Sequence, residues 1–244
     1  MTYKKSEYQW ATDSILEYSS QMNTIAEIGS RDGLDAIFLS EIFQAKNNYI
    51  FEADPNLIEG IFKNLKNHNN KSNFEVINVA LGNENKEVEF LSVDTEKYDN
   101  SGVGSLFKIN FHNRKKSDPD FNRESVQKKV KVELKKYSSL ELKTPDLIAM
   151  DVQGAELEVL KGFENLLKKV KFIILETSIS ENYIGGSNFL KIHKYLKNNF
   201  KLYKNSRYGK NNSRLFLDGY KYKLSTRKLY QPDFNLLYIN KNLI

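Results

Sequence analysis

The chain has no cysteine among its 244 residues. That removes disulfides, thiolate metal sites and thiol nucleophiles together. No stretch approaches the run of about 18 apolar residues that a membrane-spanning helix requires. The polar opening "MTYKKSEYQW" has no apolar signal-peptide core. Arginine is scarce, with 6 against 31 lysines. A nucleic-acid binder more often favours the bidentate fork of arginine. The net charge of +6 is therefore read first as a solvated Lys- and Asn-rich surface, with an anionic small molecule as the lesser alternative. Internal repeats and low-complexity linkers are also absent. What is there, 40% apolar residues with 12% aromatic, is enough for a packed core. A cytoplasmic protein of one large domain, 1–244, with no membrane span is expected.

Apolar runs alternate with helical periodicity, the pattern of an α/β fold. "TIAEIG" (24–29), "NYIFEAD" (48–54), "FEVINVAL" (74–81), "PDLIAMDV" (145–152) and "VKFIILET" (170–177) read as buried strands. "FKLYKNS" and "FNLLYIN" are strand candidates in the tail, around a Tyr- and Lys-rich connection placed at 205–232. "KEVEFLSV" (86–93) reads as an extension beside the third strand, and "KKVKVELKKY" (128–137) as an exposed strand. Leu34, Ile37, Phe38 and Ile42 set the face of one helix, and Leu57, Ile58, Ile61, Phe62 and Leu65 that of the next. "GAELEVLKGFENLLKKV" (154–170) and "NFLKIHKYLKNNF" (188–200) follow as helices. Residues 1–23 suit a helical cap over a ligand site, and 94–128 break the rhythm as an insertion or lid. Right-handed crossovers then give a doubly wound sheet of seven strands.

In such a sheet ligands bind beyond the carboxyl ends of the strands, where strand order reverses. The turn after the first strand, "EIGSRDG", carries Gly29 and Gly33 but not the G-x-G-x-x-G of a dinucleotide site. Glu27 at the strand end would repel a pyrophosphate and accept from an ammonium group. An amino acid joined to a nucleoside meets both demands, and S-adenosylmethionine is such a molecule. Glu52, ending the second strand, is placed to hold both ribose hydroxyls. Two alternatives stand beside this reading. One is a plain turn whose acids cap helices; the other is an NAD site, against which the missing middle glycine argues.

Together "AEIGSRDG", "YIFEADP", "NVALGNENKEVEF" and "DLIAMDVQGAELEVLKG" resemble the FkbM-type family of S-adenosylmethionine-dependent methyltransferases. "FIILETS" and "FNLLYIN" are similar to its later strands. The resemblance implies a mostly parallel, seven-stranded Rossmann-like methyltransferase sheet with an antiparallel C-terminal strand. It implies methyl transfer to a hydroxyl of a sugar, nucleotide sugar or related small molecule, in surface polysaccharide or natural-product synthesis. By position Glu27, Gly29 and Gly33 would hold the methionine part and Glu52 the ribose, with Ser30 and Ala53 in the same set. Asn78, Val79 and Ala80 would lie by the adenine, Ser105 near the cofactor, and Asp151 at its methyl end. The family usually has Lys-Ile-Asp-Val-Glu-Gly where this chain has "AMDVQG", so Met150 and Gln153 are departures and the Lys and Glu charges are gone. A homodimer is compatible with this reading.

Methyl transfer to oxygen needs alignment, exclusion of water and a base. Asp151 is the first candidate base, its alternative being a helix cap near Gly154. Glu176, ending the fifth strand, shares the role or binds acceptor hydroxyls, and Glu156 reads as a first-turn acid of its helix. His112, in the 94–128 insertion, is a further catalytic candidate; His193 reads as packed and His68 as a surface loop residue. Asp151, Gln153 and Glu176 are hard oxygen donors suited to a divalent cation, an option not favoured here. Tyr203, Tyr208, Phe216, Tyr220 and Tyr222 are equally an acceptor wall or sheet-edge packing. The rivals are an RNA methyltransferase and an inactive S-adenosylmethionine-binding module. Against RNA stands the absence of a lysine at the end of the fifth strand and of an Asn/Asp-Pro-Pro-aromatic motif after the fourth.

Overall fold

The computed structural model describes residues 6, 8–68, 72–94, 101–111, 127–227 and 230–243. In chain order the strands are β1 (Thr24–Ile28), β2 (Asn47–Phe51), β3 (Asn73–Ile77), β4 (Ala80–Leu81), β5 (Lys86–Val93), β6 (Gln127–Lys135), β7 (Leu147–Met150), β8 (Phe172–Thr177), β9 (Phe200–Asn205) and β10 (Phe234–Asn240). The helices are α1 (Gln9–Leu16), α2 (Leu34–Phe43), α3 (Ile58–Lys66), α4 (Glu156–Gly162), α5 (Phe189–Leu196) and α6 (Asn212–Leu224).

Seven strands form one sheet in the order β3-β2-β1-β7-β8-β10-β9. The pairs β1–β2, β2–β3, β1–β7 and β7–β8 are parallel. Strand β10 runs antiparallel between β8 and β9. This is the expected doubly wound, mostly parallel sheet with an antiparallel C-terminal strand. Its order reverses between β1 and β7, which opens a crevice at their carboxyl ends.

Continuous apolar runs form the centre because helices cover both faces of a parallel sheet. β1 and β7 are buried along their whole length, and β8 at every position except Glu176. Alternate residues serve opposite faces. Ile28, Met150, Ile173 and Leu175 pack with α4 and α5, while Ile25, Leu147, Phe172 and Ile174 pack with α1 and α2.

Several elements differ from the expectations. The run 74–81 is two strands: the chain turns at Val79, whose N–H bonds the Ile77 carbonyl, and β4 leaves the main sheet. It joins a second sheet of order β4-β6-β5. Strand β5 therefore pairs along its whole length with β6, not beside β3. The helix expected over 154–170 is α4 followed by a 3-10 segment, Glu164–Lys169. Glu164 is left-handed (φ 50°), and Gly162 is so close to the chain at Gly82 that an added Cβ would lie 1.9 Å from its carbonyl oxygen. Helix α2 buries Ala36, Leu39, Ser40 and Phe43 with Ile37, because its flanks meet both α1 and α3; Leu34 is exposed. α3 buries only Ile61 fully and leaves Phe62 exposed, since it covers the edge strand β3. The connection at 205–232 contains α6, capped by the Asn211 side chain accepting from Arg214 N. Most of the 94–128 insertion, His112 included, lies outside the described residues.

Candidate active site

The turn after β1 is built from left-handed backbone. Gly29 (φ 80°), Arg31 (φ 59°) and Gly33 (φ 76°) all lie where L side chains are disfavoured. At Gly29 an added Cβ would meet the Asp151 carbonyl oxygen at 1.9 Å, so only glycine lets β1 and β7 end this close together. Gly29 N and Ser30 N donate to the Phe51 carbonyl at 2.9 and 3.2 Å, tying the turn to β2. The Ser30 hydroxyl donates to Glu27 and accepts from Gly33 N at 3.0 Å. One side chain thus couples the acid of β1 to the first turn of α2.

Glu52 is held by backbone. Arg31 N donates to its Oε2 at 2.8 Å and Asp54 N to its Oε1 at 2.7 Å. Burial nevertheless raises its pKa to about 7, against these amide bonds. Glu27 is pushed well above the usual carboxylate range, first by burial and then by the nearby Asp35. Among the described residues no lysine, arginine or histidine pairs with Glu27. Two buried acids at adjacent strand ends without a paired cation are an electrostatic demand for one.

Both line a cavity at the carboxyl ends of β1, β2 and β7 whose empty space, about 830 Å³, opens to solvent. Gly29, Ser30, Ala53, Ala80 and Asp151 line it as well. Gly33, Asn78 and Ser105 do not. Gly33 starts α2, Asn78 Nδ2 holds the Glu52 carbonyl at 2.8 Å, and the fully buried Ser105 donates to the Gln153 carbonyl at 2.7 Å. These three brace the walls and do not face the space. Residues the sequence did not single out complete the lining: Tyr8 from the segment before α1, Phe90 from β5, and Gly102, Gly104 and Leu106 from the insertion. No sequence signal marked Tyr8 or Phe90, since both come from elements read only as cap and extension.

Asp151 follows β7 and stands at one wall of this cavity. Beyond it lies a small polar cleft with room for about one water, lined by Gln153, Glu156, Glu176, Tyr183 and Asp233 among others. Gln153, held left-handed at φ 52°, joins the two spaces. Its Nε2 donates to Asp151 Oδ1 at 2.6 Å and to Glu176 Oε2 at 2.8 Å, while its Oε1 accepts from the Tyr183 hydroxyl. Glu176 is driven far above the ordinary range by burial and by its neighbours Asp151 and Asp233. The Asp151–Glu176 pair accordingly retains a proton at neutral pH. Glu156, raised to about 7 by burial, accepts from Gly154 N at 2.9 Å and from the Ser187 hydroxyl at 2.8 Å. The expected departure at Gln153 is thus the residue that joins the two candidate catalytic carboxyls.

Other candidates fall elsewhere. His193 Nδ1 lies 3.2 Å from the Tyr238 hydroxyl, and the ring packs on Phe189 and Phe216. His68 sits 3.1 Å from Glu41, away from both cavities. Tyr208, Phe216 and Tyr222 pack on the main core, Tyr220 is exposed, and none of the tail aromatics lines either cavity. Among the described residues no group of three or more His, Cys, Asp and Glu side chains could hold a metal ion, and no helix is long and apolar enough to cross a membrane.

Three comparisons bear on these features. The family model described as "Methyltransferase FkbM domain" matches residues 27–205. The 2-O-methyltransferase NoeI of Sinorhizobium fredii (strain NBRC 101917 / NGR234) is 28% identical over 169 residues, covering 66% of this chain and 65% of that protein, just under two thirds of its length. Among solved structures, the methyltransferase FkbM from Methylobacillus flagellatus KT is 14% identical with a TM-score of 0.45, over 69% of this chain and only 37% of that one. An rRNA methylase from Streptococcus thermophilus is 10% identical with a TM-score of 0.49, over 98% and 99%.

Proposed function

From the premise that the chain belongs to the FkbM methyltransferase family, we propose that it is an S-adenosylmethionine-dependent O-methyltransferase acting on a hydroxyl of a sugar-type small molecule. The observation that carries this reading is the cavity flanked by Glu27 and Glu52, two buried acids with which no lysine, arginine or histidine pairs among the described residues; Arg31, which also lines the cavity, is paired with Asp32. Glu27 would receive the ammonium of the donor's amino acid, and Glu52, its carboxylate already oriented by two amides, the ribose hydroxyls. Ala80 and Val79 supply an apolar wall for the base. These residues fit an amino acid joined to a nucleoside better than a pyrophosphate, which the acids would repel. The relation to the 2-O-methyltransferase NoeI favours an oxygen acceptor. Residues 1–244 are read as one methyltransferase domain, with 1–23 as its cap, 94–128 as its lid and 205–232 as a C-terminal insertion.

When bound, the donor supplies an electrophilic methyl group on a sulfonium. The protein's part is alignment and a proton sink. Asp151, Val152 and Ala155, which line the same end of the cavity, would align an acceptor hydroxyl against that group. The hydroxyl proton passes to Asp151, which Gln153 fixes in orientation, while Glu176 holds the other proton of the pair. Van der Waals walls from Val152 and Ala155 keep water from the methyl path. Isothermal calorimetry with S-adenosylmethionine tests the donor, and a mass gain of one methyl on an acceptor tests the transfer. Asp151→Asn is expected to lower turnover by about 10²-fold or more with donor affinity little changed. No heat of binding from the folded protein would defeat the reading.

A further inference from the structure

Helix α6 is apolar on two faces, and only one of them is packed. The inner face rests on α5 and β9: Leu215 and Gly219 are buried, and the Phe216 ring stands 5.0 Å from that of Phe189. Leu217, Tyr220 and Leu224 point the other way and are 53%, 54% and 83% exposed. Spaced i, i+3 and i+7, they fall within about 60° of arc and form one ridge. Exposed cations flank it, Arg214 and Lys221 on one side and Lys223 on the other, with Arg227 just past the helix end. Lys221 and Arg227 line an open groove with Ser225 and Gln231. Among the described residues no acid pairs with either. Asp218, the one acid of α6, also lines the groove and accepts from the Tyr208 hydroxyl at 2.6 Å.

We infer that α6 is a docking helix that lies flat on an anionic lipid bilayer, its ridge in the headgroup boundary and its flanking cations on the lipid phosphates. The inference goes beyond methyl transfer and does not depend on it. An apolar ridge between two rows of cations is the pattern of an interfacial helix. A second copy of the chain is a poor occupant, because two-fold pairing of this face would set its cations against the same cations. A folded partner would need pockets for three projecting side chains within an interface of about 800 Å² a side. A fluid bilayer takes them as they stand, with leucine at the acyl boundary and tyrosine and lysine at headgroup level. The placement also has a consequence for the crevice between β1 and β7. Lys221 and Tyr222 share their groove with Ile179, two residues past the carboxyl end of β8, which neighbours β7. Docking therefore keeps the rim where that crevice opens close to the lipid surface.

The test is flotation of the full chain with vesicles of phosphatidylcholine alone, and of phosphatidylglycerol and phosphatidylcholine in equal parts. Binding is expected only to the anionic vesicles, and it should fall at least about tenfold as salt rises from about 0.05 to about 0.5 M. Leu217→Ser with Leu224→Ser should weaken it by about tenfold or more. Lys221→Gln and Arg227→Gln should each weaken it by about fivefold. Lys63→Gln with Lys66→Gln, on α3 at the opposite edge of the sheet, removes as much charge as those two together and should change little. All six positions are exposed, and circular dichroism checks that each variant keeps the fold. Absence of binding to anionic vesicles, or equal binding to both kinds, overturns the inference. So does an equal loss from the α3 pair, which would assign the binding to diffuse surface charge. A concentration-dependent dimer that Leu217→Ser with Leu224→Ser abolishes, without vesicle binding, overturns it in favour of a second copy.

Discussion

Replacing Glu52 with glutamine should make the protein more stable at pH 8 and less able to bind its donor. In the folded chain Glu52 keeps its proton up to about pH 7, against 4.5 for an unperturbed glutamate. Between those values the folded state binds more protons than the unfolded one. Its stability is therefore full below pH 4.5 and falls as pH rises towards 7. A shift of that size corresponds to about 3 kcal/mol. Glutamine cannot ionise, so this loss disappears in the variant. One of the two amides now bonded to the carboxylate, Arg31 N or Asp54 N, then faces an NH₂ group, which costs about 1 kcal/mol or somewhat more. The net gain at pH 8 is about 1–2 kcal/mol, and below pH 4.5 the sign reverses. Urea unfolding of both proteins from pH 4 to 8 measures it, because other titrating groups cancel in the difference. Calorimetry should show donor affinity down by about 10- to 100-fold through the lost charged hydrogen bonds to ribose. A stability difference that does not change with pH would refute the reasoning, since it would mean that Glu52 is ionised at no cost in the fold.

Two further outcomes follow from the same site. Gly29→Ala should cost about 2–5 kcal/mol, combining left-handed strain with overlap on the Asp151 carbonyl, whereas Gly33→Ala, whose Cβ would meet only Ile61 at 3.1 Å, should cost about 1–2 kcal/mol; chemical denaturation separates them, and equal losses would contradict the geometry. Donor binding should release protons as an ammonium draws the raised pKa of Glu27 down, so affinity rises with pH until Glu27 is ionised in the free protein; calorimetry in buffers of different ionisation enthalpy reads the proton count, and zero release would contradict the assignment.

The parallel core was legible because buried strands such as "LIAM" and "FIILET" admit few other readings. The glycine turn was legible because left-handed backbone leaves a residue-type signature at Gly29 and Gly33. Helix α6 was not, since its polar residues and its exposed Leu217, Tyr220 and Leu224 give no clean apolar stripe. The division of 74–81 was hidden for another reason. A two-residue strand has no periodicity, and only the pairing of Ala80 and Leu81 with Leu134 and Lys135 defines it. At the site, the strand-end acids Glu27, Glu52, Asp151 and Glu176 could be read from position. The bridging amide of Gln153 could not, because it depends on which side chains the fold brings across from other elements.

Gln153 also explains why the Lys and Glu charges of the family pattern are absent together. In that pattern a lysine falls where this chain has the fully buried Ala149, two residues before Asp151 and so on the same side of β7. A glutamate at 153 beside Asp151 and Glu176 would make a third carboxyl, tolerable next to a lysine and costly without one. Glutamine supplies in its place an N–H that both acids share, at 2.6 and 2.8 Å. Gln153→Glu, made alone, should therefore remove that donor and add a titrating group whose pKa is raised by its neighbours. The penalty should be about 1–3 kcal/mol at pH 8. It should shrink towards pH 5, because a group with a raised folded pKa loses its stabilising share as pH rises through that pKa. Urea unfolding at the two pH values reads the difference. An equal penalty at both would mean that Gln153 matters for its shape and its left-handed backbone, not as the neutral link between two acids.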